Sequence, residues 1–426
     1  MMKTLTIALT LLFASLTAQA QSNPRFVGGD ISMLKKFQDA GAVYKDIDGN
    51  EVQPLAFLKE QGWNTMRVRL FVDPSKASAS DQKEGAIQDL DYVKALGKSI
   101  KDAGLQFMLD FHYSDTWTDP GQHATPSAWS SMSATQLKTQ VYDYTKDCLQ
   151  QLKAAGATPD FIQVGNEVTT GMLWTTGKIY ASGGAPTGGS WDNFAAYLAS
   201  GIQACNEECP QAKIVIHTEL HAPNDVPKFY NLLKAYTDVK YDIIGLSYYP
   251  DFHGNLTTLD GILTTLEANH ADKNIMIVET GYGFEWQLGG SKYNFTSTWP
   301  TSESGQKAFT ADLISAMKAH PKVNGIFWWY PEYTLNNIVF KNGSENWSNN
   351  FTSGYWNAAL FHYKTGQALP ALYELKNFVG ENTGINAVHA YDTQENVWYT
   401  ADGRRLAGAP SQKGLYISHG KKSIIR

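Results

Sequence analysis

Short apolar runs alternate with longer amphipathic stretches along most of this chain. Eight of the runs are rich in Val, Ile and aromatic residues, and they lack the alternation of a strand with one face in water. Continuous apolar runs are typical of parallel strands that are covered on both faces. The pattern predicts eight such strands, at residues 26–31, 65–71, 106–111, 161–164, 214–217, 243–248, 275–278 and 325–329.

The stretches between these runs place apolar residues on one face of a helix. Four of them are predicted as helices, at residues 91–103, 135–155, 191–205 and 304–319. Eight strands alternating with helices predict an α/β protein, a closed (β/α)8 TIM barrel. The alternative is an open doubly wound sheet, but Gly28-Gly29-Asp30 does not fit the phosphate loop that such sheets usually carry after their first strand.

The N-terminus departs from the barrel pattern. Lys3 precedes an almost wholly apolar run at residues 5–16, and Ala18 and Ala20 offer small side chains at a cleavage site. This is the layout of a secretory signal peptide, so residues 1–20 are predicted to be removed and the protein to be secreted, periplasmic or at the cell surface. The run is shorter than the roughly 20 apolar residues that a membrane-spanning helix needs.

The C-terminus also departs from it. The alternation of strands and helices ends near residue 381, and pairs of short apolar runs around Gly turns follow. Such pairs are typical of β-hairpins. We therefore expect one barrel at residues 21–384 and a small all-β appendage at residues 385–426.

Composition narrows the classes of function. The net charge of −6, with 18% charged residues, argues against a nucleic-acid-binding protein, which needs a basic face. The chain has 12 Trp, 22 Tyr and 19 Phe, which suit sugar-binding clefts, although core packing accounts for many of them. No metal-ligand set surrounds the three cysteines Cys148, Cys205 and Cys209, so neither a metal nor another cofactor is predicted.

Polar residues at the ends of the predicted strands carry the candidate chemistry, because a barrel of this kind holds its reactive groups there. In chain order they are Arg67, Arg69, Asp110, His112, Asn166, Glu167, His217, Glu219, Tyr248, Tyr249, Glu279, Trp328, Trp329 and Tyr330. They include no clustered ligand spacing of a metalloenzyme and no Gly-X-Ser-X-Gly elbow of a serine hydrolase.

Glu167 and Glu279 form the pair that glycoside hydrolysis requires. One carboxylic acid must protonate the leaving oxygen, and one carboxylate must attack the anomeric carbon or activate water. Arg67 would keep a nearby nucleophile ionised, and that anion would raise the pKa of the acid. A single glutamate at a strand end is more often part of a structural ion pair, but Asn166 before Glu167 and an aromatic residue on strand 8 favour catalysis.

The residues around this pair resemble a known family. The matching segments are Gly29-Asp30-Ile-Ser32, Asn64-Thr-Met-Arg67-Val-Arg69, Asp110-Phe-His-Tyr-Ser-Asp-Thr-Trp117-Thr-Asp-Pro-Gly121, Val164-Gly-Asn-Glu167, Leu173-Trp174, Ser247-Tyr-Tyr-Pro250 and Val278-Glu-Thr-Gly-Tyr282. They are similar to glycoside hydrolase family 53, the endo-β-1,4-galactanases of clan A, from about residue 26 to residue 375. The segment at residues 110–121 is the most specific of them.

The resemblance implies a retaining endo-β-1,4-galactanase that degrades the galactan side chains of pectin and acts as a monomer. Glu167 matches the acid/base and Glu279 the nucleophile. The residues that match sugar-binding positions, or that extend the cleft, are Arg67, His112, Asp115, Trp117, Asn166, Tyr248 and Trp329. Some bacterial relatives bind calcium through an Asp-X-Asp-X-His-X-Asn run after strand 7, which residues 283–294 lack, so no metal is expected here.

Two alternatives stay open from the residues alone. The first is another endo-hydrolase of clan A, such as a mannanase or a cellulase. The second is a barrel that binds polysaccharide without cleaving it, although the intact pair Glu167 and Glu279 weighs against it.

Overall fold

The protein is described here by a computed structural model, which covers residues 24–220, 222, 224–334, 355–380, 398–400, 405–406, 410, 413–418 and 421–425. Eight parallel strands close into a barrel in which each strand pairs with the next along the chain and the last pairs with the first. They are β1 (Phe26–Asp30), β2 (Thr65–Leu70), β3 (Gln106–Phe111), β4 (Phe161–Val164), β5 (Lys213–Glu219), β6 (Ile243–Tyr248), β7 (Asn274–Thr280) and β8 (Val323–Trp329). The predicted (β/α)8 barrel is confirmed.

Helices connect the strands on the outside of the barrel. They are α1 (Leu34–Asp39), α2 (Pro54–Glu60), α3 (Ala79–Lys83), α4 (Leu90–Asp102), α5 (Ala134–Ala154), α6 (Trp191–Glu208), α7 (Asp225–Leu233), α8 (Pro250–His253), α9 (Leu256–Asn269), α10 (Glu303–Lys318), α11 (Pro370–Glu374) and α12 (Lys376–Val379). The four helices predicted from the pattern are α4, α5, α6 and α10, each beginning within one residue of the prediction. A short antiparallel pair, Tyr44–Lys45 with Glu51–Val52, lies between α1 and α2.

Side-chain caps explain where several of these helices begin. The Asp89 side chain accepts from the Tyr92 N–H ahead of α4, and the Ser302 side chain accepts from the Gly305 N–H ahead of α10. Ser133 and Gln136 form a reciprocal capping box at the start of α5. Each cap satisfies a backbone N–H that has no partner inside the helix, which stabilises the helix by about 1 kcal/mol.

The barrel interior has an apolar and a polar half. Side chains from the early positions of the strands form one buried apolar cluster, which includes Met108, Phe161, Val215, Met276 and Phe327. Later positions on the same strands carry the buried charged and polar groups. The apolar half closes the bottom of the barrel, so the polar half forms the floor of the open end.

Gly28 allows β1 and β2 to approach closely. A Cβ atom at this position would lie 1.6 Å from the backbone oxygen of Thr65. Any other residue would therefore push the two strands apart where they close the barrel.

The segment Gly380–Arg426 forms a compact unit of its own. Within it, the described strands form an antiparallel sheet in the order Arg405–Leu406, Trp398–Thr400, Gly414–Ser418, Lys421–Ile425. The predicted signal peptide, residues 1–20, lies outside the described residues. No helix among the described residues is long and apolar enough to cross a membrane. Cys148, Cys205 and Cys209 are buried free thiols.

Candidate active site

Arg67 is the centre of the polar floor. Its Nη1 lies 2.9 Å from Asp30 Oδ2 and 3.0 Å from Glu279 Oε1, and its Nη2 lies 2.8 Å from Asp110 Oδ2. The same Nη2 donates to Asn166 Oδ1 at 2.9 Å. Arg67 belongs to β2, and its four partners come from β1, β3, β7 and the turn after β4, so a single buried guanidinium fixes side chains from four other strand ends.

Arg69 adds a second buried cation beside the first. Its Nη1 lies 2.7 Å from Asp30 Oδ1, and its Nη2 donates to the Tyr330 hydroxyl at 2.7 Å. The floor therefore holds two guanidinium groups and three carboxyl groups, namely Asp30, Asp110 and Glu279. Two positive charges cannot neutralise three negative ones. Ionisation of the third carboxyl group is therefore opposed by the negative charges of the other two.

Among these three carboxyl groups, Glu279 is the one whose pKa is raised. It is buried, and its Oε2 accepts a hydrogen bond from the Tyr249 hydroxyl at 3.2 Å. Burial raises the pKa of Glu279 to about 7; Arg67 opposes the shift, whereas Asp30 and Asp110 add to it. One oxygen of the carboxylate is therefore held by a cation and the other by a phenol.

The backbone of Glu167 is strained. It lies in the left-handed region, with φ 44° and ψ 48°, a conformation that costs a residue with a side chain about 1–3 kcal/mol. His217 Nδ1 accepts from its N–H at 3.3 Å, and its carbonyl oxygen lies 3.2 Å from His123 Nε2. These contacts hold the strained turn after β4 and direct the side chain into the open end of the barrel.

The carboxyl group of Glu167 is surrounded by negative charge. Burial raises its pKa well above the ordinary value, and the nearby carboxyl groups of Glu279 and Glu219 raise it further. A hydrogen bond from Ser247 opposes the shift only partly. Ser247 is itself held by His217 Nε2, at 2.8 Å from its Oγ. Since Arg67 lowers the pKa of Glu279 and not that of Glu167, the proton shared by the pair lies on Glu167.

His112 and Asn166 are both held by Thr118, on the loop after β3. The Thr118 hydroxyl lies 2.8 Å from His112 Nδ1, and the Thr118 N–H also donates to that nitrogen. His112 Nε2 therefore carries the hydrogen and faces Asp110 Oδ2 at 3.1 Å. Asn166 Nδ2 donates to the Thr118 carbonyl oxygen at 2.8 Å, which leaves the second hydrogen of this amide for another acceptor.

Two tryptophans form one wall of the open end. Trp329 and Trp117 are partly exposed, and their rings lie 6.3 Å apart. The Arg69 guanidinium lies 4.6 Å from the centre of the Trp117 ring and 5.0 Å from that of the Trp329 ring. A buried cation behind both rings fixes their orientation, as expected for a rigid aromatic platform.

The structure places two of the sequence-predicted residues away from the open end. Tyr248 is fully buried and donates to the Gly254 carbonyl oxygen at 2.9 Å, so it is Tyr249 that reaches Glu279. Asp115 accepts from the backbone N–H groups of Asp73 and Ser127, one with each oxygen. Both carboxylate oxygens of Asp115 are therefore used to link the backbones around Asp73 and Ser127, and the side chain does not face the cleft.

Tyr249, Ser247 and Glu219 are site residues to which no role was assigned from the sequence, although Tyr249 and Glu219 were among the polar residues at the predicted strand ends. One signal was present, because Ser247 is a polar residue inside an otherwise apolar run and therefore marks the face of β6 that lines the barrel interior. Tyr249 shares that face by the alternation of side chains along a strand. No comparable signal distinguishes Glu219 from a surface acid at the end of a strand.

The loop after β7 is held by Asn357. Its Oδ1 accepts from the Glu285 N–H at 2.7 Å, and its Nδ2 donates to the Trp286 carbonyl oxygen. The Trp286 ring packs edge-on against Trp356, with centres 4.6 Å apart. Within the part of the chain that the structure describes, no group of three His, Cys, Asp or Glu side chains could hold a metal ion.

Comparison with known proteins gives consistent matches. The sequence model of glycosyl hydrolase family 53 matches residues 26–375. An uncharacterized protein of Niallia circulans is 33% identical over 381 residues, which is 87% of this chain and 97% of that protein. The arabinogalactan endo-β-1,4-galactanase A of Aspergillus niger is 31% identical over 350 residues, covering 79% of this chain and 93% of that enzyme.

Solved structures agree with the sequence matches. The family 53 catalytic domain of Ignisphaera aggregans superposes with a TM-score of 0.71 at 29% identity, covering 84% of this chain and 99% of that domain. A fungal β-1,4-galactanase superposes with a TM-score of 0.70 at 27% identity, covering 83% of this chain and 100% of its own. The family match spans the whole barrel and every residue of the polar floor, and the chain therefore belongs to glycosyl hydrolase family 53.

Proposed function

We propose that this protein is a retaining endo-β-1,4-galactanase in which Glu279 is the nucleophile and Glu167 the acid/base. The observation that carries the proposal is the difference between the two carboxyl groups. Glu279 lies 3.0 Å from the Arg67 guanidinium, whereas carboxyl groups surround Glu167. One is therefore suited to act as an anion and the other to donate a proton.

In the first step, a Glu279 oxygen attacks the anomeric carbon and the glycosidic C–O bond breaks. Glu167 gives its proton to the departing oxygen, which leaves as a sugar hydroxyl. Arg67 and the Tyr249 hydroxyl hold the Glu279 carboxylate in place during the attack. Asn166 lies one residue beyond Gly165, after the end of β4, and its second amide hydrogen is suited to bind the sugar 2-hydroxyl, a contact that strengthens in the transition state.

In the second step, Glu167 is a carboxylate and accepts a proton from water. The resulting hydroxide equivalent attacks the anomeric carbon, and the ester bond to Glu279 breaks. Two inversions give a product with the original β-configuration. Formation of the ester removes the negative charge of Glu279 until the ester is hydrolysed, so the pKa of Glu167 falls and rises once in each cycle.

The substrate assignment rests on the relatives. Those from Aspergillus niger and Emericella nidulans are named as arabinogalactan endo-β-1,4-galactanases. The match covers 93% of the first at 31% identity and 90% of the second at 32% identity. The partly exposed tryptophan platform at β8 suits the apolar face of a sugar ring. We therefore assign β-1,4-galactan, with the galactan side chains of pectin as its natural source.

The test measures the release of reducing ends from galactan, mannan and cellulose. We expect cleavage of galactan with the β-anomer as the first product in proton NMR. Glu279→Ala should abolish activity, and azide should restore part of it as an α-glycosyl azide. Glu167→Ala should lose much less activity on a substrate with a good leaving group, which needs no proton. Cleavage of mannan or cellulose alone, or full activity of both variants, would refute the assignment.

The ends of the chain carry two further parts of the proposal. The pattern of residues 1–20 supports export, because a polymeric substrate is met outside the cytoplasm, and the N-terminus of the mature protein should be Gln21. The antiparallel strands between Trp398 and Ile425 support a small all-β module after the barrel. N-terminal sequencing of the protein recovered outside the cytoplasm tests the first part, and limited proteolysis after the barrel tests the second.

A further inference from the structure

A buried carboxyl group, Glu332, lies in the loop after β8 and takes no part in the proposed mechanism. It is fully buried, and its Oε1 accepts from the Met33 N–H at 2.9 Å, on the segment between β1 and α1. Its own carbonyl oxygen accepts from the Tyr44 hydroxyl at 2.8 Å. Glu332 therefore links the segments that follow β8 and β1, which are neighbouring strands of the barrel.

The second oxygen of this carboxyl group favours the neutral acid. Glu332 Oε2 is buried and has no hydrogen-bond partner among the described residues. An ionised carboxylate is costly to bury without a compensating partner. Burial, followed by the negative charge of Asp30, raises the pKa of Glu332 to about 8. The Glu332 and Met33 N–H groups oppose this shift, and so does the more distant charge of Arg69.

The charged and titratable groups around Glu332 come from five parts of the barrel. They are Asp30 on β1, Arg69 on β2, Tyr44 in the short antiparallel pair, Tyr92 on α4 and Tyr330 after β8. The three phenols stay protonated up to strongly alkaline pH, because burial raises the pKa of each. Glu332 is therefore the group of this cluster that gains a charge as the pH rises through about 8.

Arg69 is the residue through which a charge on Glu332 would reach the candidate site. Its guanidinium lies 4.6 and 5.0 Å from the two rings of the tryptophan platform, and it is held there by Asp30 and Tyr330. Its Nε has no acceptor among the described residues. An ionised Glu332 would attract this guanidinium in competition with Asp30, and it would add a fourth negative charge beside two cations.

We propose that Glu332 is a positioning residue: in its neutral form it leaves Arg69 to hold the tryptophan platform, and loss of its proton to solvent weakens substrate binding at alkaline pH. The inference rests on the proposed function, because it needs a sugar ring on this platform. Glu332 is buried behind the site and acts through Arg69. The effect is on binding rather than on the chemical step, since Arg67, and not Arg69, contacts Glu279.

The experiment measures KM and kcat on galactan between about pH 6 and pH 9. Glu332→Gln has the same shape as the wild type but cannot ionise, whereas Glu332→Asp keeps an ionisable group. We expect the wild-type KM to rise by roughly 3- to 10-fold over this range, the equivalent of weakened cation–π contacts. Glu332→Gln should hold its KM constant within about twofold, and Glu332→Asp should keep the rise. The alkaline decline of kcat, which depends on Glu167, should be the same in all three proteins.

Thermal unfolding gives a readout that needs no substrate. Between the ordinary glutamate pKa and about 8, the folded protein holds the Glu332 proton and the unfolded chain does not. The stability that neutral Glu332 contributes is therefore present at low pH and lost as the pH rises through this window. Glu332→Gln carries no such proton, so its melting temperature relative to the wild type should increase by roughly 2 °C or more from about pH 5 to pH 9.

Three results would overturn the proposal. A relative gain in melting temperature without a change in the KM curve would show that Glu332 titrates but positions nothing. Curves that Glu332→Gln leaves unchanged in both readouts would show that Glu332 does not titrate in this range. Loss of the KM rise in Glu332→Asp as well would show that the shape of the side chain matters and not its charge. If Glu332→Gln fails to fold, the wild type and Glu332→Asp decide, because a constant KM in either one contradicts the proposal.

Glu207→Gln on α6 is the control. Its carboxylate pairs with Lys146 on the outside of the barrel at 3.1 Å, so the substitution should leave the pH dependence of KM as it is in the wild type. Failure of the proposed function would be visible separately, as a wild-type protein that releases no reducing ends from galactan at any pH. Failure of the present inference would be visible in an active enzyme whose KM curve does not depend on Glu332.

Discussion

At the scale of single residues, Arg67 and Tyr249 decide the properties of the candidate nucleophile. The Arg67 guanidinium favours the ionised form of Glu279, and burial opposes it. Tyr249 adds a hydrogen bond to the carboxylate oxygen that Arg67 does not contact. The two contacts together fix both oxygens, so Glu279 has little freedom to rotate away from a bound sugar.

Tyr249 and Tyr248 provide a matched pair of substitutions. Tyr249→Phe removes the hydroxyl group that donates to Glu279, and we expect kcat to fall by about 10-fold or more, because a hydrogen bond to a charged group contributes about 1.5–3 kcal/mol. Tyr248→Phe removes a bond to the Gly254 carbonyl oxygen and should lower the melting temperature while keeping activity per folded molecule. If Tyr248→Phe lowered kcat and Tyr249→Phe lowered only the melting temperature, Tyr248 would be the tyrosine that supports Glu279.

The pH dependence of activity follows from the two carboxyl groups. Glu279 must be ionised, and its pKa is raised to about 7, so kcat/KM should fall as the pH drops through neutrality. Glu167 must be protonated, and its pKa is raised well above the ordinary value, so activity should persist on the alkaline side before it declines. A profile of kcat/KM on galactan measures both limbs. Full activity at a pH well below 7 would contradict the raised pKa of Glu279.

At the scale of elements, the strand ends and the loops after them have different tasks. The strands β2, β3, β4 and β7 bring the polar floor together, since Arg67, Asp110 and Glu279 lie on three of them and Asn166 lies just after the fourth. The loops shape the cleft, and side-chain hydrogen bonds to the backbone hold the loops after β3 and β7 in place. Thr118 and Asp115 hold the loop after β3, and Asn357 holds the loop after β7.

Asn357→Ala tests the staple of the β7 loop. The substitution leaves the Glu285 N–H and the Trp286 carbonyl oxygen without this partner, at a cost of about 1 kcal/mol for each of these partly buried groups. We expect a lower melting temperature and a higher KM for galactan. Asn377→Ala is the control, because its amide reaches only Glu374 on the surface. Equal melting temperatures for the two variants would show that the aromatic contacts alone hold the loop.

At the scale of the whole molecule, the barrel holds a buried network of charges without a metal-ligand cluster among its described residues. Replacing one partner of such a network leaves an uncompensated charge, which usually costs about 3–5 kcal/mol. The polar floor is therefore both the candidate reactive centre and a structural connection between β1, β2, β3, β7 and the turn after β4.

Chelation tests the expectation that the fold and the reaction need no metal. The loop after β7 offers a single acid, Glu285, and that side chain accepts from the Tyr363 hydroxyl at 2.9 Å. Calcium sites need about six to eight oxygen ligands. We expect a chelator to leave both galactan hydrolysis and the melting temperature unchanged. A drop of several degrees that added calcium reverses would reveal a site formed by ligands from distant loops.

The sequence by itself determined the barrel and the position of the two glutamates. Eight continuous apolar runs specify buried parallel strands, and a polar residue directly after such a run must lie at the open end of the barrel. Glu167 and Glu279 could be identified for this reason, before any distance was known.

Only the tertiary structure decided which neighbours those glutamates have. In an apolar run that shows no alternation, the polar Ser247 is the one hint that Tyr249 faces inward, and only the structure shows that Tyr249, and not Tyr248, reaches Glu279. Asp115 is used by the backbone of two loops, and Glu219 faces Glu167, through contacts between segments far apart in the chain. The order of the two pKa values also depends on these contacts, because Arg67 reaches Glu279 only when the barrel closes.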